Sequence, residues 1–250
     1  MKVIFKQTLL ASVIAVTSAA QAEVNVTSWG GAYSASQQKA YADTWKGGKV
    51  NFINYNGGLG EVKTQVESGA VTWDIVDVLP HEARVGCDEG LFEQLDHSKF
   101  TPAANGDSLA KDMMIPLPND CVVPQIFWSY VPFHLKSTFK GAQPSTIADF
   151  FNVKKFPGKR GIHTWPNALI EMALLADGVS IKDLYKVMST DEGIDRAFGM
   201  LDKIKDHSVF WSSGAKPLEL VKSGEVAMSL AYNGRIGAAV LSEGAEFVTV

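Results

Sequence analysis

Six aromatic residues stand at or just past the ends of short, apolar, strand-like runs: Trp29, Tyr33, Trp128, Trp165, Trp211 and Tyr232. Most sit beside Gly, Ser or Pro. Aromatic rings in such places give flat apolar walls to a small-molecule cleft, and their faces attract cations by ~0.5–2 kcal/mol each. Core packing accounts for any one of them alone; the set points to a cleft. The nearby carboxylates are Asp74, Asp77 and Glu171, which could hold an ammonium group or brace their own loops. Arg235 follows the strand end at Tyr232-Asn233. It could fork onto a ligand carboxylate or pair with an acid at a hinge.

Catalytic chemistry finds few candidates. Gly-x-Ser-x-Gly, His-Glu-x-x-His and Gly-x-x-x-x-Gly-Lys-Ser/Thr are all missing from the sequence. His81, His97, His134, His163 and His207 are scattered, with no two at metal-binding spacing. His81-Glu82 reads as a solvated loop pair or a lone base. Gly57-Gly58-Leu59-Gly60 reads as a turn, or as a weak phosphate cradle on free amides. No metal or cofactor is expected. The net charge of -4 gives no electrostatic reason to expect a nucleic-acid partner.

These residues need strands and helices to hold them. Val24–Thr27 reads as a strand, followed by a helix from Ser34 or Ser36 to Lys46. Val50–Tyr55 is a second strand. Leu59, Val62 and Val66 have helical spacing that ends at Gly69, and Asp74–Val78 is a short buried strand. Strand, helix, strand implies parallel βαβ units, with ligands beyond the carboxyl ends of the strands. Residues 121–134 form a strand plus a segment crossing between lobes, since Pro124 and Pro132 argue against a regular central strand. Thr146-x-x-Asp149 opens a helix. A strand follows near Ile162, and Ala168–Leu175 is helical. Thr190 caps a helix whose apolar face carries Ile194, Phe198, Leu201 and Ile204. Trp211 falls in a Ser- and Gly-rich loop. A helix near 217–223, a strand over 225–231, a helix near 236–241 and a strand starting at Glu246 complete the chain.

The first 22 residues have the three parts of a cleavable secretory signal: Lys2 and Lys6, the apolar run Thr8–Val16, and Ala20-Gln21-Ala22. The run is shorter than the ~20 residues that span a bilayer. Cleavage takes the net charge to -6 and leaves 228 residues, exported to the periplasm. In an oxidising compartment the only two cysteines, Cys87 and Cys121, favour pairing over two buried thiols. Closing that loop stabilises a fold by roughly 4 kcal/mol in the chain-entropy model.

A family resemblance runs the length of the chain. It rests on Ser28-Trp29-Gly30-Gly31-Ala32-Tyr33, Ser68-Gly69-x-x-x-Trp73-Asp74-Ile75-Val76, and Glu89-Gly90-Leu91-Phe92-Glu93-x-Leu95-Asp96. It continues through the crossing segment to Phe133, Asp149-Phe150-Phe151 and Phe156-Pro157-Gly158-Lys159-Arg160. Glu171-Met172-Ala173-Leu174, Gly224-Glu225-Val226-Ala227-Met228 and Tyr232-Asn233-Gly234-Arg235 complete it. The chain resembles the periplasmic solute-binding proteins of ABC importers, in particular the spermidine/putrescine-binding branch.

The resemblance implies an α/β, two-lobed periplasmic binding protein fold with a hinged ligand cleft. Lobe 1 is expected over residues 23–131 and lobe 2 over 132–232, with 233–250 returning into lobe 1. Two lobes at about 150 residues each exceed 228, so the fold is expected to be C-terminally truncated. The implied ligand residues are Trp29, Gly30, Tyr33, Asp77, Trp128, Glu171, Trp211, Tyr232, Asn233 and Arg235. The implied partners are a small-molecule ligand and the membrane permease of an ABC importer, with the receptor a monomer. A polyamine is the first expectation for the ligand. However, Gly30-Gly31 stands where a polyamine site offers an acid, and Asn233 and Arg235 bring no Asp. A solute with a carboxylate as well as an amine, amino-acid-derived or opine-like, suits Arg235 better. A secreted enzyme on the same scaffold and a ligand-sensing partner of a membrane receptor are the other readings.

Overall fold

The computed structural model describes residues 22–250. The expected signal segment, with Lys2 and Lys6, lies outside the described residues, which begin at its last position, Ala22.

The first sheet arises from two parallel βαβ steps. Strand β1 (Ala22–Ser28) leads into helix α1 (Gly31–Gln37), whose end widens into a π turn over Gln38–Ala42. Then come β2 (Gly48–Asn54), α2 (Gly60–Ser68) and β3 (Ile75–Val76), in sheet order β2-β1-β3 with every pair parallel. Glycine ends α2 because only a left-handed residue fits: Gly69 has φ 67° and returns its N–H to the Val66 carbonyl at 3.1 Å. The third strand is shorter than its sequence suggests. Its Ile75 is 54% exposed rather than buried.

After β3 comes a helix that apolar periodicity does not reveal, α3 (Pro80–Asp88). Pro80 fits its first turn, where an N–H has no partner anyway. Glu82 accepts the Leu79 N–H at 2.7 Å. Its other oxygen accepts the Gly58 N–H at 2.7 Å. The amides once readable as a phosphate cradle therefore hold the protein's own carboxylate. The short α4 (Leu109–Asp112) follows. Cys87 on α3 is bonded to Cys121, with Cα atoms 5.8 Å apart.

Residues 121–129 have no regular structure and lead into β4 (Tyr130–Leu135). The second unit continues with α5 (Ile147–Phe151), β5 (Arg160–His163), α6 (Leu169–Ala176), α7 (Leu184–Met188) and α8 (Asp191–Asp202). It ends with β6 (Ser208–Trp211), α9 (Lys216–Lys222), β7 (Met228–Tyr232), α10 (Asn233–Glu243) and β8 (Phe247–Thr249). The sheet order is β6-β5-β7-β4-β8. Strand β5 is parallel to both neighbours, while β4 is antiparallel to β7 and β8. Pro132 is tolerated inside β4 because pairing with β8 begins one residue later, at Phe133.

Most of the apolar core lies here, around the fully buried Phe133, Phe150, Leu174, Leu220 and Met228. Thr146 and Thr190 cap α5 and α8 through the backbone N–H groups of Asp149 and Gly193. Arg160 is fully buried without an acid. It donates to the carbonyls of Phe150, Phe156 and Gly158 at 2.6–2.7 Å, and burial lowers its pKa to about 10.

Two expectations need correction. The buried face of α8 runs through Gly193, Ala197 and Met200, and Phe198 is 56% exposed. An apolar face read one position off is nearly degenerate in sequence, because several adjacent rows share apolar residues. Residues 233–250 do not return to the first sheet, since β8 pairs with β4 inside the second. Contiguity of a helix and strand cannot tell a return within one sheet from a crossing to another.

Candidate functional site

The carboxyl ends of β1 and β2 are adjacent because the strands are parallel and in register, Ser28 opposite Asn54. The residues just beyond them share one rim. Trp29 stacks on Tyr55, with centroids 4.9 Å apart and planes 29° apart. Facing this rim are the loop after β6 and the first turn of α10. Between them lies a cleft of about 240 Å³, lined by Trp29, Asn54, Tyr55 and Asn56 on one side and Ser213 and Arg235 on the other, with Gly30, Gly31 and Ala215 completing the wall.

Arg235 is the only cationic side chain in that wall. One guanidinium nitrogen, Nη2, donates to the Trp29 carbonyl at 2.7 Å and to the Gly30 carbonyl at 3.4 Å. Among the described residues no carboxylate pairs with it, and neither Nε nor Nη1 has a hydrogen-bond partner. Burial lowers its pKa, yet a guanidinium stays charged at any physiological pH. Glycines make the slot it occupies. A Cβ at Gly31 would lie 2.8 Å from Nη1, and one at Gly214 would lie 2.8 Å from Nε. Gly31 also has φ 57°, which other side chains resist.

Next to the cleft, Gly57 (φ 85°) leaves room for two indoles from opposite sides. A Cβ there would meet Trp165 at 2.5 Å and Trp29 at 3.0 Å. Trp165 leads to a second aromatic group. Its N–H donates to His163 Nδ1 at 2.8 Å. His163 packs edge-on against Trp211 at 4.4 Å. Burial pushes the His163 pKa down, against a smaller opposite effect of a Ser212 backbone hydrogen bond. Tyr130 and Tyr232 join hydroxyls at 3.1 Å, with Trp128 edge-on to both.

The ten ligand positions expected from the sequence fall into groups. Trp29, Gly30 and Arg235 line the cleft. Trp128, Trp211 and Tyr232 belong to the aromatic group beside it, and Trp211 ends β6 at 2% exposure rather than lying in a loop. Asp77 is buried and engaged by the protein itself. It accepts Ser28 Oγ at 2.6 Å, Gln37 Nε2 at 2.8 Å, and Gln125 Nε2. Tyr33 is half-buried, its pKa raised by burial and then by the Asp77 charge. Asn233 is bound to the crossing segment: Ser129 N–H donates to its Oδ1 at 3.0 Å, and its own N–H donates to the Ser129 carbonyl at 3.0 Å. Glu171 sits in the first turn of α6, outside the cleft wall.

Asn54, Tyr55, Asn56 and Ser213 were not foreseen as site residues. The first three had a readable signal, since they span the strand end and turn that precede Gly57.

The sequence profile described as bacterial extracellular solute-binding protein matches residues 36–248. A gamma-aminobutyric acid (GABA)-binding protein of Pseudomonas aeruginosa is 43% identical over 233 residues, 90% of this chain; the chain spans 64% of that protein's length. Two solved structures are similar as well. The binding protein MotA of A. tumefaciens B6, in complex with glucopine, superposes with a TM-score of 0.76 at 30% identity, covering 92% of this chain and 69% of MotA. The Atu4243-GABA receptor does so with a TM-score of 0.69 at 32% identity, covering 91% and 68%. A spermidine/putrescine-binding protein of Streptococcus pneumoniae, at 14% identity and a TM-score of 0.62, shares the fold alone. The expected nearness to that branch thus gives way to GABA- and opine-binding relatives. With its two α/β sheets, its strand-end cleft and this match, the chain belongs to the bacterial extracellular solute-binding protein family, whose members bind solutes rather than transform them.

Proposed function

We propose that the protein is a periplasmic receptor for a small solute bearing both a carboxylate and an amine, such as GABA or an opine. It delivers that solute to the permease of an ABC importer. The observation that carries the reading is Arg235, a guanidinium in the cleft wall with no acidic partner and with Nε and Nη1 unengaged. A carboxylate is the ligand group that satisfies such a fork. The Trp29–Tyr55 stack supplies an apolar wall and a π face for the solute's ammonium. Asn54, Asn56 and Ser213 add neutral hydrogen-bonding groups. The names of the GABA- and glucopine-bound relatives support the same solute class.

A polyamine is the weaker reading. A diamine wants carboxylates at each end, whereas this wall presents a cation. Asp77, the acid nearest to a ligand role in sequence, is occupied by Ser28, Gln37 and Gln125.

A thermal-shift titration tests the proposal. A ligand at 100 times its Kd stabilises the folded state by about 2.7 kcal/mol. GABA or an opine is expected to raise the melting temperature, with putrescine and spermidine inert. A shift by polyamines and none by carboxylate-bearing amines overturns the solute class.

A further inference from the structure

Asp77 and Asn233, both placed in the ligand set by sequence, hold the two ends of the segment that joins the sheets. On the first-sheet side, Gln125 donates to Asp77 and lies 3.4–3.5 Å from Tyr41 Oη and Gln37 Nε2. Asp77 is itself fixed by Ser28 and Gln37. Four residues earlier, the Cys87–Cys121 bond ties the same strand of chain to α3. On the second-sheet side, Ser129 and Asn233 exchange two hydrogen bonds at 3.0 Å, immediately before β4 begins. Between the clasps are Ile126, Phe127 and Trp128. None of the described hydrogen bonds involves them, and they are 47%, 64% and 37% exposed.

We infer that Asp77 and Asn233 are positioning residues that confine movement between the sheets to the peptide units of Ile126–Trp128. A segment held at both ends and unbonded between them is where backbone dihedrals change at least cost. Three residues span ~10 Å when extended, enough to swing one rim relative to the other but not to let it drift. Trp128, the last residue of the swivel, packs edge-on against Tyr130 and Tyr232. Rotation at the swivel therefore moves an aromatic ring beside the cleft. This inference rests on the solute-receptor reading only for its purpose; the swivel itself is a property of the chain.

The test measures the lobe-to-lobe distance directly. Spin labels at Glu67→Cys on α2 and Asp195→Cys on α8 report it by double electron–electron resonance, with the native disulfide intact. In the ligand-free protein, Gln125→Ala and Asn233→Ala are each expected to widen the distance distribution. Tyr55→Phe removes a hydroxyl donated to the Asp77 carbonyl and leaves both clasps in place, so it is expected to keep the original width. Adding GABA is expected to narrow all the distributions. Unchanged width in both clasp variants overturns the inference, and so does equal widening by Tyr55→Phe, which would mean general loosening. Widening in the clasp variants with no response to GABA in any protein keeps the swivel and rejects the solute proposed above.

Discussion

Arg235→Gln isolates the step on which ligand choice depends. The substitution keeps a polar side chain of reduced length and removes the charge and the fork. In the empty protein it deletes the Nη2 bonds to the Trp29 and Gly30 carbonyls, of which only the 2.7 Å one is strong. A single hydrogen bond at a half-buried site contributes about 1 kcal/mol, so the melting temperature should fall by only a few degrees. In the complex it deletes a charge-assisted, bidentate contact of about 1.5–3 kcal/mol, or roughly 10- to 150-fold in Kd. Isothermal titration calorimetry with GABA and with its uncharged amide, 4-aminobutyramide, separates the two effects. The parent protein should prefer GABA by that factor, and Arg235→Gln should bind both equally. If Arg235→Gln weakens GABA and its amide by the same factor, Arg235 acts through the fold and the carboxylate assignment is wrong.

Three other outcomes are expected. Trp29→Ala should weaken solute binding at least tenfold while lowering the ligand-free melting temperature only slightly, because Trp29 is half-buried and its stack on Tyr55 is worth about 0.5–1.5 kcal/mol; calorimetry and thermal melts on the same samples decide it. Replacing Cys87 and Cys121 together with Ser should cost about 4 kcal/mol in denaturant unfolding, and reduction of the parent protein should give the same loss. Burial holds His163 below its ordinary pKa of 6.5. The unfolded chain then binds that proton first, so its contribution is complete above pH 6.5 and is lost as pH falls through the folded pKa. His163→Gln should flatten the stability profile between pH 7 and 5, as read from urea midpoints.

Elements set by local chemistry were legible in the sequence. Thr146 and Thr190 announce their helices because a hydroxyl facing free N–H groups acts within one turn. The parallel βαβ order follows from alternation and crossover handedness, and the two cysteines pair as their compartment suggested. Other features depend on distant partners and left no local trace. Asp77 reads as a ligand carboxylate until Ser28, Gln37 and Gln125, up to 49 positions away, are seen around it. The Gly58 amide looks free until Glu82 fills it. Helix α3 was missed because its apolar face is sparse, although Pro80 and Glu82 at its start were a usable signal. Arg235 was readable as a carboxylate binder or as a hinge ion pair. The choice turns on which acids lie near it, a fact of tertiary structure.

The most direct test is to identify the solute that the protein captures. The full chain, purified from its exporting cell without exchange of ligand, is analysed by native mass spectrometry and the bound species is released and fragmented. The account predicts a small molecule with a carboxylate and an amine, lost from the spectrum of Arg235→Gln. Recovery of a polyamine, or of a bound metal ion, at full occupancy and undiminished in that variant would contradict it.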